Sequence, residues 1–151
     1  MWTQSRPTTA PANLKFTYTV SNTSLSGTTT DKLNDSLGYV TSYSLYDSLG
    51  RVRQTQAPTP QGGRLITESY FDSHGWVTKT NKAFWDPDNL PTLVLANDVL
   101  DEKVPNQERT TYDGLGRPVR VDALKNSVVQ ESTTTVRGGD RTTVVPPAAA
   151  P

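Results

Sequence analysis

One repeated turn constrains this chain more than any single residue. Tyr46-Asp47-Ser48-Leu49-Gly50-Arg51-Val52 returns as Phe71-Asp72-Ser73-His74-Gly75-Trp76-Val77, and again as Tyr112-Asp113-Gly114-Leu115-Gly116-Arg117-Pro118-Val119. A weaker copy reads Asn34-Asp35-Ser36-Leu37-Gly38-Tyr39-Val40, with Gly38 expected in the glycine position. The pattern is an aromatic, Asp, two variable residues, Gly, a large side chain, then Val one or two places on. Asp at the start of a turn accepts a backbone N–H two residues later. Gly supplies the left-handed conformation that a type I turn with a G1 bulge requires. Each copy therefore predicts a β-hairpin tip, at 34–40, 46–52, 71–77 and 112–119. Tyr46, Asp47, Gly50, Arg51, Phe71, Asp72, Gly75, Trp76, Tyr112, Asp113, Gly116 and Arg117 form a structural repeat motif.

The stretches between tips read as strands. Leu14 to Ser21 alternates cleanly, with Leu14, Phe16, Tyr18 and Val20 on one face, which predicts a half-buried strand. Asn22 to Asp31 reads as a polar loop. Strands are expected over Tyr39–Tyr46, Arg51–Gln56, Arg64–Phe71, Trp76–Lys82, Gln107–Tyr112, Arg117–Val121, Val128–Arg137 and Arg141–Val145. Turns are expected at Pro58–Gly63, Lys125–Ser127 and Gly138–Asp140. Residues 83–106 interrupt the pattern as an irregular insertion, within which Thr92–Ala96 reads as a short buried strand. Residues 1–13 read as a flexible N-terminal segment and 146–151 as a Pro/Ala tail, bounding a repeat region at 14–145. No 3.6-residue apolar period is present. The expected fold is all-β, successive antiparallel hairpins in a curved, twisted strip. Arg51 and Arg53 would share one face and Val52 and Gln54 the other, giving a thin wall that is polar on both sides.

Composition narrows the function. Acidic and basic residues balance at 15 each, so no basic surplus drives phosphate-backbone binding and nucleic acid is disfavoured. Cysteine is absent, which removes disulfides, thiolate metal sites and cysteine nucleophiles. No apolar run reaches the roughly 20 residues of a membrane helix, and the first residues lack a signal-peptide core. His74, the only histidine, sits at a turn centre without a second nitrogen ligand nearby. Asp86, Asp88 and Asn89 suggest calcium only weakly, because prolines around them favour a plain turn. Asp47, Asp72 and Asp113 occupy equivalent places, whereas acid–base pairs need carboxylates in different environments. Neither a nucleophile elbow nor a phosphate loop is present. Trp76, Trp85, Tyr43, Tyr70 and Tyr112 are candidates for an aromatic ligand surface, although sheet aromatics usually pack across strands. Asn22 and Asn34 fit the glycosylation acceptor pattern, relevant only in a eukaryotic secretory route.

The Tyr-Asp tips at 46–51 and 112–117 resemble the YD repeats of Rhs proteins, insecticidal toxin complexes and teneurins; Arg64–Phe71 leading into Asp72 fits the strand before a tip, and Gly138–Arg141 in its Thr-rich surroundings looks like further Rhs-type sequence. The resemblance spans roughly residues 30–145. It departs at Phe71, at Trp76 and at the inserted Pro118. It implies a segment of a β-shell around a toxin cargo, secreted or at the cell surface, non-enzymatic and without a cofactor. The family's core segment and a following toxin domain are not found, so the chain reads as a fragment of a shell, a truncated copy or a short standalone relative. Its expected partners are further YD repeats, a toxin cargo, or a second chain pairing at open strand edges. The alternative is a surface module that holds carbohydrate or protein with exposed aromatics.

Overall fold

The computed structural model describes residues 11–97 and 101–147. Ten strands follow in order: β1 (Leu14–Thr19), β2 (Ser26–Leu33), β3 (Tyr39–Tyr46), β4 (Val52–Pro58), β5 (Arg64–Phe71), β6 (Val77–Asp86), β7 (Gln107–Tyr112), β8 (Pro118–Lys125), β9 (Val128–Gly138) and β10 (Arg141–Val145). They form one open sheet whose spatial order is the chain order. Every neighbouring pair is antiparallel. The protein is thus all-β, and a single 3-10 turn at Asp101–Lys103 is the only helical element among the described residues. No described helix is long and apolar enough to cross a membrane.

A meander puts alternate connections at opposite ends. The intact tips at Asp47, Asp72 and Asp113 share one end with the β1–β2 loop and the Gly139 turn. The other end holds the Asn34 and Thr59–Gly63 turns, the long connection 87–106 and the Asn126-Ser127 turn. That last turn has both central residues at positive φ (53° and 66°), the primed hairpin geometry that matches strand twist.

The long connection is a strap across the middle of one sheet face. It begins after Asp86, because β6 runs four residues past Lys82. Thr92–Ala96 forms no strand. Two glutamines hold this backbone instead. The Gln54 side-chain oxygen accepts the Ala96 N–H at 3.0 Å and its amide nitrogen donates to the Ala96 carbonyl at 3.4 Å. Gln56 accepts from Thr92 N–H at 2.9 Å and donates to the Val94 carbonyl at 2.7 Å. Beneath the strap, Ile66, Phe84, Ala96 and Val104 make a small apolar cluster.

Polar residues fill the rest of the covered face. Leu45, Gln54, Glu68, Asn81, Gln107 and Leu124 are direct cross-strand partners in one row from β3 to β8. All six are buried. Glu68 accepts from Gln54 (2.8 Å), Asn81 (2.9 Å), Tyr70 (3.1 Å) and Arg53 (3.3 Å). Gln107 donates to Asn81 at 3.0 Å and accepts from Ser127 N–H at 2.8 Å. Two rows away, beyond Gln56 and Ile66, the Arg64–Asp86 pair is buried at 2.7 Å. Buried polar groups are tolerated when paired in this way. The wall is therefore polar, as expected, but on this face the polarity is internal.

Several expectations fail for identifiable reasons. β1 alternates well yet is exposed at every residue, because it is an edge strand and the strap does not reach it. The predicted loop 22–31 contains most of β2, whose Thr28-Thr29-Thr30 run has β propensity but no apolar face. In the weak copy the motif is displaced by one. Asn34, not Asp35, accepts the two turn N–H groups, from Ser36 and Gly38. Leu37, not Gly38, takes the left-handed conformation, at φ 60°. Finally, Val52 and Gln54 do not share a face. A bulge at Arg53 intervenes, so Arg53 and Gln54 both bond Glu68.

Candidate functional site

The three intact tips are chemically near-identical. Gly50 N–H closes each turn on the carbonyl of Asp47, and Asp47 N–H pairs with the carbonyl of Arg51. The same pairs recur from Asp72 to Trp76 and from Asp113 to Arg117. Gly50, Gly75 and Gly116 sit at φ 74°, 89° and 75°. One carboxylate oxygen of each Asp accepts two backbone N–H groups, from Leu49 and Arg51, from His74 and Trp76, and from Leu115 and Arg117, at 2.9–3.0 Å. The second oxygen accepts from Arg51 Nε at 2.7 Å and from Arg117 Nε at 2.8 Å. Where Trp76 replaces arginine, His74 Nδ1 approaches Asp72 at 3.6 Å and the imidazole stacks on the indole at 4.7 Å.

These bonds hold the carboxyls below their ordinary titration range. Burial pushes Asp47 up, and the bonds from Arg51 and Leu49 more than reverse it. Burial likewise opposes the N–H bonds of Trp76 and His74 at Asp72, and the bonds win. At Asp113 the Arg117 N–H is the largest cause, and it lowers the value. All three carboxylates are engaged by their own turns and respond alike.

The tips also engage one another. The Arg51 guanidinium lies 4.1 Å above the Phe71 ring, and its Nη1 would be 3.0 Å from a Cβ built on Gly75. Trp76 takes the same path one repeat later. Its ring is 5.3 Å from Tyr112 and would be 2.7 Å from a Cβ on Gly116. In the first two intact tips, the residue after the glycine therefore covers the aromatic and the glycine of the next tip. Glycine serves twice in this arrangement, for its φ and for its missing side chain. Every intact tip also has a bulge three residues past its glycine, at Arg53, Thr78 and Val119, while the Asn34 hairpin has none.

The remaining candidates scatter. Trp85 is at the far end and donates to the Gly62 carbonyl at 3.0 Å. Tyr70 is sandwiched by Arg53 and Lys79 at 3.8 and 4.1 Å. Of the five aromatics, only Trp76 and Tyr112 meet ring to ring among the described residues. Asp86 is consumed by Arg64, by Asp88 N–H and by Asn89. The Asn34 carboxamide oxygen is used inside its turn. The described residues hold no cluster of three or more His, Cys, Asp or Glu suited to a metal. The predicted lead-in and tail fall mostly outside the described residues, but Asn13 and Ala12 carbonyls accept from Leu33 N–H and the Tyr39 hydroxyl, both at 2.8 Å.

The polar row and the bulges went unseen in the sequence. A bulge signal was available, because the tips place it at a constant offset from glycine. The row left none, since its members fall at no fixed distance from the motif. No family model matches this chain, and no curated protein or solved structure does so either.

Proposed function

We propose that the chain is a non-enzymatic wall segment of a YD-repeat shell that encloses or delivers a toxin cargo outside the cell. The observation that carries this reading is the tiling of the tips. Arg51 and Trp76 reach from one repeat to the next along a single end of a continuous sheet, so the motif's Asp, Gly and aromatic are spent on architecture. The turn carboxylates are engaged alike, which suits a repeated structural part better than a catalytic pair. The edge strands β1 and β10 expose Phe16, Tyr18 and Val144 beside backbone that has no outer strand partner among the described residues, which suits lateral continuation by further strands.

Lateral pairing is read by sedimentation of the purified chain across concentration. Reversible self-association is expected, and Phe16→Lys with Val144→Lys abolishes it. Enclosure is read by limited proteolysis of the chain expressed in its native reading frame. Cargo linked to the wall resists protease until urea unfolds the sheet. Cargo cut at the rate of a free peptide contradicts enclosure. A saturable ligand on a glycan array, with a monomeric chain at all concentrations, favours the binding-module reading instead.

A further inference from the structure

The hairpins splay apart toward their tips. Within β5–β6 and β7–β8 the pairing runs out to Phe71↔Val77 and Tyr112↔Pro118. Between hairpins it stops early, at Gln54↔Glu68 for β4–β5 and at Lys79↔Arg109 for β6–β7. Two wedge-shaped gaps result, and they are filled differently.

The first gap is plugged by the bulge residue of β4. Arg53 donates to the Ser69 carbonyl and to Glu68, both at 3.3 Å, and lies 3.8 Å over Tyr70. In the second gap the bulge residue is Thr78, too short to reach across. Thr110 stands where Ser69 stood and Thr111 where Tyr70 stood, counting back from each tip aromatic. Glu68 is replaced by Arg109. The cleft stays open as a groove of about 550 Å³ lined by Trp76, Thr78, Lys79, Arg109, Thr110 and Tyr112, among others. That volume lies within the range of ligand-sized sites. The Tyr112 hydroxyl crosses it near the tips, donating to the Val77 carbonyl at 2.8 Å, below the Trp76 ring.

At the position of Glu68 the charge is inverted relative to the filled gap. Lys79 and Arg109 are direct cross-strand partners, an unfavourable like-charge pair. Lys79 is neutralised by Asp101. The Arg109 side chain is exposed and makes no hydrogen bond or ion pair among the described residues. Of the other carboxylates, Asp72 and Asp113 line the groove but are engaged by their own turns, and Asp122, the cross-strand partner of Arg109 on β8, is held by Ser132 at 2.5 Å and Arg120 at 2.7 Å.

We propose that this gap receives a glutamate side chain from an acidic polypeptide segment, its carboxylate on Arg109 and its stem against Trp76. The first gap is the precedent. There a long charged protein side chain enters between hairpins, meets an opposite charge and bonds a main-chain carbonyl. A peptide also suits the gap because pairing with β6 ends at Arg109, leaving the Thr110-Thr111 backbone without a β6 partner among the described residues. The inference is independent of the wall reading, since a wall without a guest and a guest without a closed wall are both physically coherent.

Isothermal titration with an acetylated, amidated Thr-Thr-Glu-Thr-Thr peptide tests it, using the glutamine peptide as control. The glutamate peptide is expected to bind at least about tenfold tighter, the scale of one charge-assisted hydrogen bond. Arg109→Gln removes that preference. Thr78→Arg, which plugs the gap as Arg53 does, blocks both peptides while the far-ultraviolet β signal is kept, and it decides the matter if Arg109→Gln does not fold. Equal binding of the two peptides, no binding at the solubility limit, or affinity unchanged by Thr78→Arg overturns the proposal. A uronic-acid trisaccharide that displaces the peptide and binds more tightly also overturns it, making the guest a sugar.

Discussion

Glycine at a hairpin tip is usually explained by φ alone, and here two tips separate that cause from packing. Gly50 and Gly116 share the left-handed conformation at φ 74° and 75°. A Cβ on Gly50 meets nothing within 4 Å, whereas one on Gly116 meets the Trp76 ring at 2.7 Å. Gly50→Ala is expected to cost about 1 kcal/mol, the strain of a left-handed alanine. Gly116→Ala carries the same strain plus an overpacking cost of about 1–3 kcal/mol. Urea unfolding of the two variants measures the difference, and Trp76→Ala should bring Gly116→Ala back to the Gly50→Ala value. Equal costs in the native background would mean that the tips do not tile. The turn chemistry was legible from four residues, since the Asp acceptor and the glycine act within their own loop. The partner across the tip was not, because nothing in one motif copy specifies what its large residue covers in the next.

Among the elements, the strap decides what is buried. Gln54 is wholly buried and serves two masters, Glu68 in the sheet and Ala96 in the strap. Gln54→Ala leaves the Ala96 N–H and part of the Glu68 carboxylate without partners. The expected loss is about 2–4 kcal/mol, from unmet buried groups. Amide hydrogen exchange should show faster exchange at Ala96 and Thr92 while the β9–β10 hairpin is unchanged. A uniform, small loss would mean that the strap is not held by this side chain. This part of the fold was illegible for a physical reason. Gln54, Glu68, Asn81 and Gln107 look solvent-facing in any local window, and only a connection arriving from 87–106 makes their face an interior. The opposite error occurred at Leu14, Phe16 and Tyr18, where alternation promised burial and no second layer arrived to provide it.

At the scale of the whole molecule, the apolar cluster is small and six engaged carboxylates make the stability of the sheet depend on pH. Asp47, Asp72, Asp86, Asp101, Asp113 and Asp122 all titrate below the ordinary carboxylate value in the folded chain. A depressed folded value means that the unfolded chain takes up protons first as the pH falls. The associated stability is therefore complete above the unfolded carboxylate value of about 3.9 and is lost as the pH drops through the lower folded values. Urea midpoints should hold nearly level from pH 7 to about 5 and then fall steadily below about pH 4. A midpoint that rises on acidification contradicts this assignment. The all-β meander itself was legible, because the tips, the Asn126-Ser127 turn and the Gly138–Asp140 turn each mark a reversal.

The central claim is that the repeated tips line one end of a single continuous sheet, each covering the next. The chain has no cysteine, so spin labels placed at Leu49 and Leu115 report on it cleanly. Four strand spacings separate those tips in the sheet order, so pulsed electron–electron resonance should give one narrow distance near 20–30 Å, from about 4.8 Å per strand plus the label arms. A broad distribution, or a distance beyond about 40 Å on the same spacing, would mean that the hairpins are not joined in one sheet, and the wall would have to be abandoned.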